Sequence, residues 1–231
     1  RVLSAGTVER IKRWIQSGGT LIAIGNSALF AADEDRGLSS VRLRREVLGR
    51  LDEYDEAVTR ERSARNIRID PNQIWRGDVP GTGEGQADEE AKKKGDLDTL
   101  RRSDQWERLF SPTGTFLLGL VDSEHWLSFG LDEKMPILFW GSSALMSKHP
   151  AATPVRLADA DKLRLSGLLW PEARQRLAQT AYVTVERMGS GQVILFATDP
   201  TFRMWLPAQQ RLLLNAILLG PGLGASQAVP W

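Results

Sequence analysis

The sequence predicts an α/β fold of the flavodoxin-like type: a mostly parallel sheet flanked by helices, with an antiparallel hairpin near the C-terminus. Near the N-terminus a helical pattern, a Gly-Gly pair and a short apolar strand follow one another. Near the C-terminus two apolar segments flank a Gly-Ser-Gly turn, and a second amphipathic helix follows them. The length of 231 residues is enough for one large domain, so we predict a single domain over residues 1–231.

The N-terminal segment predicts one helix and one central strand. Ser4 is a suitable N-cap, because its hydroxyl can accept a hydrogen bond from a free backbone N–H of the first helical turn. Apolar residues then recur at helical spacing, and Gly18-Gly19 ends the helix. Residues 20–24, TLIAI, are apolar on both faces, which is typical of a central parallel strand.

The middle of the chain predicts helix and then an irregular segment. Residues 41–65 indicate one long amphipathic helix or two, because apolar side chains recur on one face and charges of both signs cover the others. Residues from about 78 to 104 include GTGEGQADEEAKKKGD and contain few large apolar side chains. Such a segment buries too little surface to offset its ordering entropy, so we predict a mobile charged insertion. A partner-binding segment is the alternative.

The C-terminal half is rich in predicted strands and ends in a helix. Residues 192–197 are apolar on both faces, like residues 20–24, and we expect both strands in the same central sheet. The predicted strands are residues 115–121, 136–140, 155–158, 181–187 and 192–197, and the predicted helix is residues 209–219.

Composition excludes several kinds of chemistry. The chain has no cysteine, which excludes a thiolate nucleophile and disulfides. Its two histidines, His125 and His149, each lack a second histidine at metal-ligand spacing, so we predict no metal site. A net charge of +1 gives no general attraction to nucleic acid. No apolar run approaches the ~20 residues that a transmembrane helix needs, so we predict no membrane span.

Ser27 is a weak candidate nucleophile. Gly25-Asn26-Ser27 follows a predicted strand and begins the G-x-S-x-G pattern of a nucleophile elbow, but Leu29 replaces the final glycine. A serine hydrolase would need a histidine base, and only His125 and His149 could serve, with His125 as the weak catalytic candidate. The competing interpretations are that Ser27 caps the next helix and that His125 is structural.

Asp199 and Arg203 follow the second central strand, where ligands bind in open α/β sheets. A small-ligand or peptide-binding module is therefore a further interpretation. Its candidate residues would be Gly25, Asn26, Ser27, Asp199 and Arg203. The competing interpretation is that Asp199 and Arg203 form a local ion pair that fixes the turn after the strand.

Several segments resemble a known family. IKRWIQSGGTLIAIGNSA resembles the helix, Gly-Gly, strand and turn of class I glutamine amidotransferase-like domains, and GSGQVILFATDPTFRMW and RLLLNAILLGPG resemble their closing part. HWLSFGL, PILFWGSSALM and SGLLWPEARQRLAQTAYVTVERMGSGQ are similar to the version found C-terminal to the peptidase unit of bacterial zinc carboxypeptidases of the carboxypeptidase A type. The resemblance covers most of the chain except residues 78–104.

The resemblance implies a domain without catalytic residues. Active members carry a cysteine at the elbow after this strand, and the nearest match in this chain is Asn26 or Ser27. It implies a structural or interaction role beside a zinc metallocarboxypeptidase domain upstream of Arg1, which would be the partner of this domain. The zinc would belong to that upstream domain, because this chain has no His-x-x-Glu. The chain would then be N-terminally truncated, and the parent protein secreted or in the cell envelope.

Overall fold

The computed structural model describes residues 3–65 and 96–224. Its helices are α1 (Ala5–Gln16), α2 (Asn26–Ala32), α3 (Leu51–Arg65), α4 (Leu97–Glu107), α5 (Pro171–Leu177) and α6 (Pro207–Leu218). Its strands are β1 (Thr20–Ile24), β2 (Arg42–Leu43), β3 (Thr113–Val121), β4 (Lys134–Trp140), β5 (Leu145–Met146), β6 (Ala152–Leu157), β7 (Arg164–Ser166), β8 (Ala181–Met188) and β9 (Gly191–Phe196). The predicted N-terminal helix and strand and the predicted C-terminal hairpin and helix are therefore confirmed. The predicted central position of the N-terminal strand is wrong for the described residues, because β1 pairs only with β9 and is an edge strand.

The strands form one mixed sheet in the order β1-β9-β8-β6-β3-β4, flanked by helices. The α/β class is confirmed, and β1 and β9 are parallel neighbours with Ile22 opposite Ile194. The predicted predominance of parallel strands is wrong for the described residues, because every other pairing among them is antiparallel. A strand covered on both faces is apolar throughout whichever way its neighbours run, so its sequence does not reveal their direction.

The end of α1 packs tightly against the turn between β8 and β9. A Cβ atom added to Gly191 would lie 2.0 Å from the carbonyl oxygen of Ile15 and 2.3 Å from that of Gly19. The backbone N–H of Ser190 donates to the Gln16 carbonyl at 3.0 Å, and that of Gln192 donates to the Gly19 carbonyl at 3.1 Å. This contact places β1 beside β9.

Helix α1 begins as predicted. The Ser4 hydroxyl accepts a hydrogen bond from the Thr7 backbone N–H at 3.2 Å, so Ser4 is the N-cap. The helix buries Val8 and Ile15 in the hydrophobic core. At the other end of the chain α6 buries Leu212 and Ala216 in the same core. Both helices therefore cover the sheet through the apolar stripes that their sequences indicate.

The long helix predicted over residues 41–65 forms only from Leu51 onward. Strand β2 and short 3₁₀ turns occupy the preceding residues. Helix α3 is attached to the sheet by Arg156 on β6, whose guanidinium donates to both carboxylate oxygens of Glu61 at 2.8 and 2.6 Å. The Arg156 side chain is buried, so this bidentate pair fixes the end of α3 against the sheet.

The predicted mobile insertion is wrong for its last residues. Residues 97–104 belong to α4, and Asp104 at the buried face of that helix is only 1% exposed. Its carboxylate accepts a hydrogen bond from Arg44 at 2.9 Å and another from Arg176. The ionic contacts of Asp104 fix this helix against the rest of the fold, and the apolar content of the sequence does not reveal them. Residues 78–95 lie outside the described residues.

The close contact at Gly191 gives a stability prediction. Gly191→Ala should destabilise the fold by about 3 kcal/mol or more, because its methyl group would overlap two backbone carbonyl oxygens that cannot rotate away. Gly6→Ala is the matched control, because a Cβ atom at Gly6 meets nothing within 4 Å. That change should stabilise α1 by about 0.5–1 kcal/mol. Urea unfolding of both variants measures the difference, and equal midpoints would contradict the role of the contact.

Candidate functional site

The segments that carry the predicted site residues follow β1 and β9 and begin at the same edge of the sheet. Because these strands are parallel, their carboxyl ends lie side by side. The backbone N–H of Gly25 donates to the carbonyl of Phe196 at 2.9 Å. The turn at residues 25–27 and the segment that begins at Asp199 therefore leave the sheet as neighbours.

Gly25 occupies the sharp turn between β1 and α2. Its backbone has φ 57° and ψ −119°, a conformation that glycine adopts readily and that strains any residue with a side chain. In a nucleophile elbow the nucleophile itself sits on the strained strand-to-helix turn. By backbone conformation Gly25, and not Asn26 or Ser27, is the residue at this turn, and it has no side chain to act as a nucleophile.

Ser27 lies one residue inside α2 and is exposed. The interpretation that it caps this helix is wrong, because the N-cap is Gly25 and no side chain caps the helix. No hydrogen bond between described residues joins Ser27 to His125 or His149. The serine–histidine pair that hydrolysis would need is therefore not formed in this conformation.

His125 follows a strand that ends at the opposite edge of the sheet from β1. It follows β3, which is four strands from β1 and runs antiparallel to it. Antiparallel strands have their carboxyl ends at opposite edges of a sheet, so His125 follows the edge opposite to the carboxyl end of β1. The two weak catalytic candidates are therefore placed on different parts of the fold.

His125 has a structural task of its own. Its Nδ1 atom accepts a hydrogen bond from the Leu127 backbone N–H at 3.1 Å and so caps the short turn Trp126–Ser128. Burial lowers the pKa of the His125 imidazole, and the Asp122 carboxylate raises it to a lesser extent. Burial and the Leu127 N–H donor both favour the neutral ring.

Asp199 and Arg203 do not form the ion pair that one interpretation predicts. Asp199 Oδ1 instead accepts hydrogen bonds from the backbone N–H and the hydroxyl of Thr201, at 2.8 and 2.7 Å. The Arg203 guanidinium lies over the rings of Phe202 and Trp205, 5.3 and 5.5 Å from their centroids. Asp199 thus fixes the turn by itself, and both charged side chains are exposed beside it.

Groups of three or more potential metal ligands do not occur among residues 3–65 and 96–224. Over the same residues, no helix is both long enough and apolar enough to cross a membrane. Comparison of the chain with protein-family models, with curated proteins and with solved structures finds no match.

The role of His125 as a cap predicts a pH dependence of stability. Because its pKa is lowered in the folded state, the unfolded chain binds more protons, and stability should fall as the pH drops through the ordinary histidine pKa of about 6.5. Protonation of Nδ1 would also remove the acceptor for the Leu127 N–H. His125→Asn keeps an acceptor and does not titrate. Thermal unfolding from about pH 7.5 to 5 should show a smaller loss in this variant. Equal losses would contradict the assignment.

Asp199→Ala should cost only about 0.5–1.5 kcal/mol, because it removes the hydrogen bonds of one exposed turn and leaves no buried charge unpaired. Asp199→Asn is the matched control, since its amide oxygen can accept the same bonds and should retain most of the stability. Urea unfolding measures both variants. A loss of several kcal/mol in Asp199→Ala would mean that the carboxylate does more than fix the turn.

Proposed function

We propose that this chain is a non-catalytic, amidotransferase-like accessory domain with a structural or interaction role. Gly25 carries the proposal, because it places a residue without a side chain at the strand-to-helix turn of β1 and α2. Covalent hydrolysis by an elbow-type site needs a nucleophilic side chain at that turn and a base in hydrogen-bond reach of it. Neither requirement is met at the carboxyl end of β1 in the described structure.

The remaining candidates for catalysis give little support to an enzyme. Ser27 is exposed on α2 without a histidine partner, and the Nδ1 atom of His125 is occupied in a cap on another part of the sheet. The serine hydrolase alternative with His125 as the base would require that residue to leave the opposite edge of the sheet, and His149 forms no hydrogen bond with Ser27 among the described residues. The ligand-binding alternative requires no catalytic pair, and the exposed side chains of Asp199 and Arg203 are compatible with it.

The proposed setting is a bacterial zinc metallocarboxypeptidase whose catalytic domain lies upstream of this domain. This part of the proposal rests on the resemblance of the quoted segments, and it assigns the zinc and the proteolysis to that upstream domain. A secreted or envelope location belongs to the same proposal. The coding sequence upstream of Arg1 tests it: a peptidase domain with His-x-x-Glu and a distant second histidine supports it, and an unrelated domain contradicts it.

The absence of a nucleophile at Gly25 predicts that the purified chain does not hydrolyse glutamine, peptide or ester substrates. Rates should equal those of buffer alone, and Ser27→Ala should leave them unchanged, because Ser27 has no base. Ester hydrolysis followed by absorbance and glutamine hydrolysis followed by ammonia release are suitable assays. Turnover that disappears in Ser27→Ala would establish the serine hydrolase and overturn the proposed function.

A further inference from the structure

A small cavity lies beside α2, close to the sheet edge described above. Its volume is about 80 Å³, and Leu29 of α2 lines one side of it. Its polar lining comes from Arg45, Arg108, Arg176, Ser142 and Ser143. These residues come from the segment after β2, the segment after α4, helix α5 and the segment between β4 and β5. The fold thus brings three guanidinium groups and two hydroxyl groups to one cavity.

Arg176 is fixed in the wall of this cavity with an unused donor. Its side chain is only 5% exposed, and its Nη1 atom donates to the buried carboxylate of Asp104. The Nε–H of Arg176 has no hydrogen-bond partner in the structure. A buried donor without a partner is costly, and native proteins rarely leave a guanidinium N–H in that state. This Nε–H is closed to solvent, so Arg176 contributes to the cavity through the fixed positive charge of its guanidinium.

The surrounding charges leave the cavity positive. Asp104 pairs with both Arg44 and Arg176, and Glu107 pairs with Arg44, so two carboxylates balance two guanidinium groups and Arg108 adds an unbalanced positive charge. Burial lowers the pKa of Arg176 to about 10; the carboxylates of Asp104 and Glu107 oppose this effect, and the guanidiniums of Arg44 and Arg108 add to it.

The other two arginines of the lining are less constrained than Arg176. Arg108 forms no ion pair with any described residue, and the contact of Arg45 with Glu46 is long, at 4.0 Å. A cavity with this charge attracts an anion, and Arg108 is free to bind it.

We propose that this cavity binds the phosphate group of a small ligand, with Arg108 and the hydroxyls of Ser142 and Ser143 as donors and the Arg176 guanidinium as a fixed positive charge. Guanidinium groups bind phosphate oxygens through paired, charge-assisted hydrogen bonds. The donors outnumber what the two oxygens of a carboxylate can accept with good geometry, whereas a tetrahedral oxyanion offers acceptors in several directions. The volume equals that of about three water molecules at ~30 Å³ each, which suits one phosphate group and excludes a whole nucleotide.

The test uses the full chain with inorganic phosphate and with phosphoserine as probes, at constant ionic strength set by chloride. Phosphate should raise the melting temperature in proportion to the logarithm of its concentration, as a ligand of the native state does. Arg108→Gln should weaken the affinity measured by calorimetry about tenfold. Arg101→Gln is the matched control, because Arg101 is an exposed arginine on α4 outside the cavity. The affinity of this variant for phosphate should equal that of the unchanged chain. Tighter binding of phosphoserine would show that the phosphate is one end of a larger ligand.

A second variant keeps the test valid if Arg108→Gln is unstable. The double substitution Ser142→Ala with Ser143→Ala removes two neutral hydroxyls of the lining and should also weaken phosphate binding. Stabilisation no greater than that given by chloride would overturn the proposal. So would equal affinities of the unchanged chain and Arg108→Gln, or acetate that binds as tightly as phosphate. These outcomes are independent of the hydrolysis assays, because binding requires no nucleophile.

Discussion

The close backbone contact between the end of α1 and the β8–β9 turn determines where α1 and β1 lie in the fold. The carbonyl oxygens of Ile15 and Gly19 occupy the space that a side chain at Gly191 would need. That contact joins residues far apart in sequence, and it aligns β1 with β9 in the one parallel pairing among the described residues. The adjacency of Gly25 and Phe196, and with it the whole candidate site, follows from this alignment.

Local features of the fold could be predicted from the sequence, whereas features set by distant contacts could not. The N-cap at Ser4, the glycines after α1 and the Gly-Ser-Gly turn act over a few residues, so their sequence signals are sufficient. Strand direction depends on which distant strand lies alongside. Helix α4 depends on a carboxylate, Asp104, held by arginines from two other segments, and charged composition alone indicated a mobile chain.

In the candidate site, too, local features could be predicted from the sequence and features set by distant contacts could not. The sequence predicted that Gly25 and Asp199 follow strand ends at the same edge of the sheet. This prediction was possible because parallel neighbouring strands have their carboxyl ends side by side. The residue at the sharp turn could be identified only from the backbone angles, because the sequence pattern equally favours Asn26 or Ser27. The arginine-lined cavity had no sequence signal. Arg45, Arg108 and Arg176 belong to three separate segments, and each one resembles an ordinary solvated cation.

Gly25 also constrains how this fold could change in evolution. A cysteine or serine at this position would have to adopt φ 57° and ψ −119°, at a conformational cost of about 1–3 kcal/mol. It would gain no activity in return until a base also appeared beside it, because His125 serves as a cap elsewhere. A side chain at this turn alone therefore costs stability without adding activity. A catalytic elbow at this position requires at least two substitutions together, one at the turn and one that supplies the base.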